Sequence, residues 1–383
     1  MTGPFLSVVV PAHNGANGVL ARCLEAVFAS DVPRESWELI VVDDASTDET
    51  QIVAARYADL VIRLAGNPHG PAYARNRGAE ASRGEVLVFV DADVLVHPDA
   101  LRRFATAFAS RPEVSAMFGS YDDRPDDPGV VSQYRNLLHH YVHQMNAGPA
   151  ETFWSGLGAI RRQAFLDAGM FDEWHYWRPQ IEDIELGRRL RRGGHELWLD
   201  PDIQGTHLKR WTLRNMMVTD FRHRGVTWMW LLLTEGTSRA PRNLNLRLTE
   251  KVCTGLVGLA GLSLIVAAVL RAAWPLALGG AALVMVTLFN LSLYLFMGRQ
   301  RGPLFGLATV PLHFGYYASN VVAVFSGWLA HTVLGEPDPP AEMQALAQVG
   351  VKTWPPPPSR PKESLWNLPA ADDAAPPAKG DPR

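Results

Sequence analysis

Through the first third of the chain, short apolar runs alternate with longer amphipathic ones. Phe5 to Val10, Trp37 to Val42, Leu60 to Leu64 and Val86 to Val90 have the length and β-branched content of strands. Continuous apolarity of this kind marks strands covered on both faces. Between them, Gly18 to Ser30, Thr47 to Tyr57 and Pro71 to Ser82 carry helical apolar spacing. Strand, helix, strand at this rhythm predicts a parallel, doubly wound α/β sheet. Asp99 to Ser110 reads as a further helix, and Val114 to Gly119 as a further strand. The polar and Gly-rich residues after each strand then fall on one sheet edge, where such folds take their ligands.

Late in the chain the pattern changes kind. Val252 to Leu270 is almost unbroken in Leu, Val, Ala, Gly and Ile, and after Arg271 and Trp274-Pro275 a second apolar run covers Leu276 to Met297. About 20 apolar residues suffice to cross a bilayer, so both are expected to span. A third run, Pro303 to Leu334, contains Pro311, His313 and Tyr316-Tyr317. It stands open between a span and an interfacial or re-entrant segment. The chain therefore divides into an α/β domain at 1–235, a linker at 236–251, a transmembrane region of two to three helices at 252–334 and a tail at 335–383. Pro355 to Pro358 and alternating Ala, Pro and Asp give the tail no core-forming pattern, so disorder is expected there. Trp228 and Trp230 suit a bilayer interface. Lys251, with Arg299 and Arg301, favours the cytosolic side for the α/β domain of a multi-pass inner or plasma membrane protein.

Composition adds mainly exclusions. Across 383 residues the formal net charge is -3, with 20% charged and 47% hydrophobic residues, so no overall field argues for nucleic acid. Cys23 and Cys253 lie too far apart for a disulfide framework or a metal cluster, which suits a reducing compartment. Met1 to Pro4 has no basic segment followed by an apolar stretch, so a cleaved signal peptide is not expected.

The candidate chemistry gathers at the strand ends. Val86 to Val90 runs straight into Asp91-Ala92-Asp93. Two hard oxygen donors there suit Mn²⁺ or Mg²⁺ shared with substrate phosphates; capping the next turn explains them equally well. The loop Pro11-Ala12-His13-Asn14-Gly15 ends the first strand, and Asp43-Asp44-Ala45-Ser46-Thr47 ends the second. Gly70 to Gly78 places Arg75 near a helix start, aimed at the same edge and suited to a diphosphate. Each loop alone is ordinary turn chemistry. Their convergence on one edge is what points to a site.

The ordered series VVVPAHN (8–14), VDDASTDET (42–50), GPAYARNRG (70–78) and VDAD (90–93) resembles the nucleotide-sugar half of family 2 glycosyltransferases with the GT-A fold. The resemblance covers roughly residues 5 to 225. It implies a mixed, doubly wound sheet followed by C-terminal transmembrane helices. It also implies that Pro11, Ala12, Asn14 and Asp44 embrace the nucleotide base, with Arg75 and Asn76 beside base and diphosphate. Asp91 would approach ribose or metal, and Asp93 would hold the metal on the diphosphate.

Further along, Tyr121 to Val130 is rich in Asp and Pro and reads as a mobile loop over the site. His139, His140 and His143 lack ligand spacing to any Cys or carboxylate, so a surface or membrane-facing helix is expected there rather than a metal site. In Phe153 to Arg162, Gly156 and Gly158 permit close backbone approach after Trp154. The resemblance makes Trp154, Gly156 and Glu182 acceptor contacts. Glu182-Asp183 opens a helical pattern, where acids are common because the helix dipole favours them; the resemblance puts the catalytic base at Asp183. Gly205 to Trp211 retains Arg210-Trp211 of a Gln-x-x-Arg-Trp motif near the diphosphate, but His207 stands where processive relatives carry Gln. That departure argues against a processive polymer synthase. His207 is open between ligating metal, touching the diphosphate and a structural role. Arg222, His223 and Arg224 suit phosphates or lipid head groups.

The resemblance thus implies a metal-dependent, inverting glycosyltransferase of hexosyltransferase type. Its donor would be a nucleotide sugar, and its acceptor a hydroxyl on a membrane-associated, lipid-linked or other glycan. A polyprenyl phosphate acceptor, which needs no base, is the alternative within the class. A non-catalytic nucleotide-sugar-binding membrane protein is the alternative outside it.

Overall fold

In the computed structural model, which describes residues 5–235 and 248–335, the early apolar runs form one nine-stranded sheet. β1 (Leu6–Ala12) leads through α1 (Val19–Phe28) and a 3-10 turn to β2 (Trp37–Asp43), and α2 (Thr50–Ala54) leads to β3 (Leu60–Arg63). Next come α3 (Pro71–Ala81), β4 (Val86–Val90), β5 (Val94–Val96), α4 (Ala100–Ser110) and β6 (Val114–Tyr121). α5 (Val130–Gln144), β7 (Gly148–Ala150), β8 (Leu157–Arg161), α6 (Arg162–Asp167), α7 (Glu182–Arg192) and β9 (Glu196–His207) complete the sheet and its cover. The strand order is β3-β2-β1-β4-β8-β6-β9-β5, with β7 paired to β9. β1, β2, β3 and β4 pair in parallel, whereas β8 runs antiparallel to both β4 and β6. The sheet is therefore mixed.

Two-sided burial explains the unbroken apolarity of the central strands. Val86, Val88 and Val90 enter one core layer, while Leu87 and Phe89 enter the other. Val8 and Val10 divide from Val9 in the same way. Phe89, fully buried, lies 5.4 Å from the ring of Phe165 and 5.2 Å from that of Phe171. With both faces covered, β4 holds the backbone from which Asp91 and Asp93 project.

Two local expectations are corrected. The segment from Tyr121 to Val130 is fastened rather than standing free. Asp126 pairs with Arg22 at 2.8 Å, Gln133 Nε2 donates to the carbonyls of Pro125 and Asp127, and Arg301 Nη2 donates to the Asp123 carbonyl at 2.6 Å. The histidines of α5 do not mark a surface or membrane-facing helix. His140 and His143 are buried and donate from Nδ1 to the carbonyls of Tyr121 (2.7 Å) and Gly119 (2.9 Å), which ties α5 to β6. On its other side α5 meets the C-terminal helices through Tyr141 and Ser292, and through Tyr134 and His313.

After β9 come α8 (Leu213–Val218), a π-helix at Thr219–Gly225 and α9 (Val226–Glu235); α10 (Leu248–Leu270), α11 (Trp274–Phe289), α12 (Leu291–Arg301) and α13 (Pro303–Leu334) follow. Among the described residues one helix, α10, is long and apolar enough to cross a membrane. The second straight span expected at Leu276 to Met297 is absent, because α11 and α12 meet at a 60° bend and pass the same test only as one broken span. Asn290 holds that bend: its Nδ2 donates to the Val286 carbonyl and reaches Cys253 Sγ, and its Oδ1 accepts from Tyr317. The third run is one 32-residue helix, interrupted in sequence by Pro311. Most of the expected linker and nearly all of the expected tail lie outside the described residues.

Candidate active site

Asp91 and Asp93 sit where β4 ends, and each side chain is about one-third exposed, at 32%. Asp91 N–H donates to the Gly156 carbonyl at 3.1 Å, and Val94 N–H closes the turn onto the Asp91 carbonyl. Asp93 Oδ2 faces His207 Nε2 at 3.4 Å. The tautomer of His207 follows from its other side. Asn136 Nδ2 donates to the Ser132 carbonyl, which leaves Asn136 Oδ1 to accept from His207 Nδ1 at 2.6 Å. Nδ1 therefore carries a proton, and Nε2 faces Asp93. A carboxylate oxygen and an imidazole nitrogen converging in this way are a donor pair that fits a divalent ion. The imidazole also stacks on Tyr121, with ring centroids 4.2 Å apart. Burial works to push the Asp93 carboxyl up, but neighbouring His207 and Lys209 outweigh it and hold the carboxyl below its usual range. Among the described residues no group of three or more His, Cys, Asp or Glu is suited to a metal. Further oxygen donors would have to come from a bound diphosphate or water, as is common for Mg²⁺-type ions.

Around this centre the first three loops brace one another. Pro11 and the buried Ala12 end β1, and Asn14 has a left-handed backbone with φ 48°. Asn14 Oδ1 accepts from Thr47 N, while Asn14 N donates to Ser46 Oγ. These bonds, with Asp48 accepting from Ala16 N, hold the start of the second loop out of helix and shorten α2 from the expected Thr47 to Tyr57.

Two residues expected at the nucleotide already make bonds within the fold. Each oxygen of Asp44 accepts a backbone N–H, from His69 and from Gly70 at 2.8 Å, so this carboxylate fastens the second loop to the third. Asn76 is 1% exposed, and its amide is consumed by the segment after α6: Nδ2 donates to the Phe171 carbonyl and to Glu173, and Oδ1 accepts from Phe171 N. No polar atom of Asn76 is left for a ligand. Arg75 is buried between two acids, donating from Nη2 to Asp91 at 2.6 Å and from Nη1 to Glu182 at 3.0 Å. Its Nε has no partner among the described residues.

Arg75 links the donor edge to the start of α7. There Glu182 accepts from Arg75 and from Gln180 N. Its neighbour Asp183 accepts from Ser155 N at 3.1 Å and from Ile184 N at 2.8 Å. Burial, then the charge of Glu182, raises Asp183 to about 6. It is thus ionised near neutrality yet basic enough to take a proton. Gly156 leaves room that no side chain could share, since a Cβ there would lie 2.5 Å from the Trp154 ring. Trp154 stands edge-on to Tyr121 at 4.8 Å and tilted against His139 at 4.7 Å.

Arg210 and Trp211 part company. Arg210 is exposed, 3.6 Å from Asp127, whereas Trp211 is buried in the cluster formed by α5, α8 and α12 and serves as a platform under Lys209 and Arg135. Trp211 is therefore packed in the core, while Arg210 stays at the surface. Asn136, Ser155 and Tyr121 had no sequence signal as site residues. They are brought in by α5, by the turn before β8 and by the end of β6.

Residues 7–175 match the family model described as glycosyl transferase family 2. The glycosyltransferase AglE of Haloferax volcanii is 37% identical over 241 residues, covering 60% of this chain and 76% of that protein. A poly(ribitol-phosphate) beta-glucosyltransferase of Bacillus spizizenii is 32% identical over 104 residues, 26% of this chain and 16% of its own length. Among solved structures, the mannosyltransferase PcManGT of Pyrobaculum calidifontis, in complex with GDP-Man and Mn²⁺, superposes with a TM-score of 0.53 at 19% identity, covering 86% of this chain and 87% of that one. The expected GT-A fold is therefore present, and the chain is a glycosyltransferase belonging to family 2.

Proposed function

We propose that the protein moves a sugar, with inversion, from a nucleoside diphosphate donor to a hydroxyl of a membrane-associated, lipid-linked or other glycan acceptor. The observation that carries this reading is Asp183, held by Ser155 and Ile184 N–H groups and raised to about 6. Its carboxylate takes the acceptor's hydroxyl proton as that oxygen bonds to the anomeric carbon. On the opposite face, the bond from that carbon to the diphosphate oxygen breaks. Glu182 and Trp154, beside Gly156, line the acceptor side. Pro11, Ala12 and Asn14 border the base, with Asp44 as the fastener of their loops. Arg75 and Asp91 stand beside the diphosphate and ribose, and Arg210 borders the diphosphate from the exposed side.

Asp93 and His207 would hold Mn²⁺ or Mg²⁺, which when bound offsets negative charge developing on the departing diphosphate. The GDP-Man and Mn²⁺ bound by the mannosyltransferase of like fold support a nucleotide sugar and a divalent ion here. Membrane association is supported by the exposed apolar residues Leu262, Leu264, Ile265, Leu288, Phe325 and Trp328 on the C-terminal helices. We assign the catalytic domain at 1–235 to the cytosolic face, where nucleotide sugars are made.

Asp183→Asn is the deciding variant. Transfer to a hydroxyl acceptor should fall by about 100-fold to 10,000-fold, the usual span of a general base, while nucleotide-sugar binding by calorimetry stays within about twofold. Undiminished turnover would sink the base assignment and favour a polyprenyl phosphate acceptor, which is already anionic.

A further inference from the structure

Asp93 and His207 stand on the least regular part of the sheet. β5, which follows Asp93, is the terminal strand of the order and pairs with β9 over only three residues, Val94 to Val96. β9, which ends at His207, shifts register against β6 between Phe118 and Ser120, where a Cβ on Gly119 would strike the Ile203 carbonyl. Irregularities of this kind re-aim side chains next to active sites. A short edge ladder also opens more readily than a central one. Backbone bonds cross it from Leu208 N to the Asp93 carbonyl at 2.8 Å and from His97 N to the Gln204 carbonyl at 2.9 Å.

Asp122, with a side chain only 4% exposed, joins the ends of β5, β6 and β9. Its N–H donates to the Gly205 carbonyl at 2.9 Å. Its Oδ2 accepts from Thr206 Oγ1 on β9 and from His97 Nε2 just beyond β5, the latter at 3.0 Å, while Oδ1 accepts from Arg124 N at 3.0 Å. Burial works to push the Asp122 carboxyl up, but the bonds from His97, Thr206 and Arg124 N hold it below its usual range. A cap on the local turn would need only the bond from Arg124 N. The two side-chain donors on the other oxygen come from separate strands. Neighbouring side chains alternate across a strand, so Asp122 meets Thr206 on one face while Tyr121 stacks on His207 on the other. Fixing Thr206 therefore fixes the twist of β9 at the next residue. With it goes the direction of His207 Nε2, 3.4 Å from Asp93 Oδ2.

We propose that Asp122 is a positioning residue for the cation pair: through Thr206 and His97 it holds β9 against β5, so that His207 and Asp93 converge without help from the ion. It touches neither substrate nor ion. This rests on the proposed divalent ion and adds the group that sets its ligands in place.

The test uses the full chain in detergent micelles. Mn²⁺ binding is titrated by electron paramagnetic resonance, and the imidazole resonances of histidine-labelled protein are recorded without metal. Thr206→Val keeps the side chain's shape and removes its hydroxyl; it should weaken Mn²⁺ binding by about tenfold, and Thr206→Ser should restore it to within about twofold. Asp122→Asn should weaken binding at least as much as Thr206→Val. In the metal-free protein the His207 resonance should move in Thr206→Val and Asp122→Asn. That of His195, bonded to Ser115 at the opposite end of β9, should stay in place. Thermal melting checks folding, and Thr206→Val decides should Asp122→Asn fail to fold. Unchanged Mn²⁺ affinity in Thr206→Val overturns the proposal. Equal movement of the His207 and His195 resonances would mean a general loosening of the sheet and overturns it too. Should wild type bind no Mn²⁺, the divalent-ion reading falls, and the His207 resonance alone decides whether Asp122 positions that imidazole.

Discussion

The donor edge of the sheet and the acceptor side opposite it are built on different principles. On the donor edge, loops are closed by their own hydrogen bonds: Asp44 is filled by His69 and Gly70, Asn76 by Phe171 and Glu173, and Asn14 by Ser46 and Thr47. The acceptor side keeps groups in reserve. Asp183 is raised to about 6 and, among the described residues, His139 Nδ1 has no hydrogen-bond partner. A preformed edge loses little entropy when the donor arrives. Unanswered polar groups cost stability until a partner fills them. The contrast therefore predicts a rigid donor pocket and an acceptor pocket completed by its ligand. Arg75, donating to Asp91 on one side and Glu182 on the other, is where the two meet.

Three measurements break or sharpen this contrast. The largest effect is expected from Asp93→Ala, which removes the carboxylate facing His207 at 3.4 Å. Turnover should drop about a hundred-fold or more, and the Mn²⁺ dependence of donor binding should vanish; an unchanged Mn²⁺ titration would place the ion elsewhere. Next comes Asn136→Ala, which touches neither substrate nor ion. It frees His207 Nδ1 and with it the tautomer, so Mn²⁺ affinity should weaken by about 10-fold to 100-fold with little change in metal-free nucleotide binding. Equal Mn²⁺ affinity would mean that His207 is only structural. The smallest effect is the pH profile. Asp183 works ionised and its value is raised, so kcat/KM should hold above about 6 and fall as pH drops through it, approaching tenfold per unit. A profile flat down to pH 5 would show that no such base limits the reaction.

How much of this was legible follows the same divide. The donor edge is encoded locally: an apolar run long enough for one strand, then its polar turn, repeated. Val86 to Val90 reads as a buried strand because both its faces are covered, and the turn acids follow at once. Which donor-edge groups remain free for a ligand was not legible. Asp44 and Asn76 resemble ligand contacts in sequence, and only the fold reveals the backbone that occupies them. The acceptor side is assembled over long separations, as when Arg75 reaches Glu182 or His207 reaches Asn136. Nothing in either local segment marks such a pair. The second expected span, Leu276 to Met297, is broken for a similar reason. Hydropathy registers Asn290 as one polar residue in an apolar run, whereas its bonds to Val286 and Tyr317 turn it into a corner.

Arg301 at the end of α12 donates to Gln133 Oε1 and to the Asp123 carbonyl, on the segment that also carries Asp126 and Asp127. Its consequence concerns where the catalyst ends. Tyr134, Leu137, Trp211 and Met216 share one buried cluster with Leu293, Tyr294 and Met297 of α12. Cutting the chain after α9 would strip that cluster of half its cover and release the Asp123 strap at the same stroke. The C-terminal helices are thus a wall of the enzyme. A change in how they pack would be felt on the Asp123 segment through the Arg301 guanidinium.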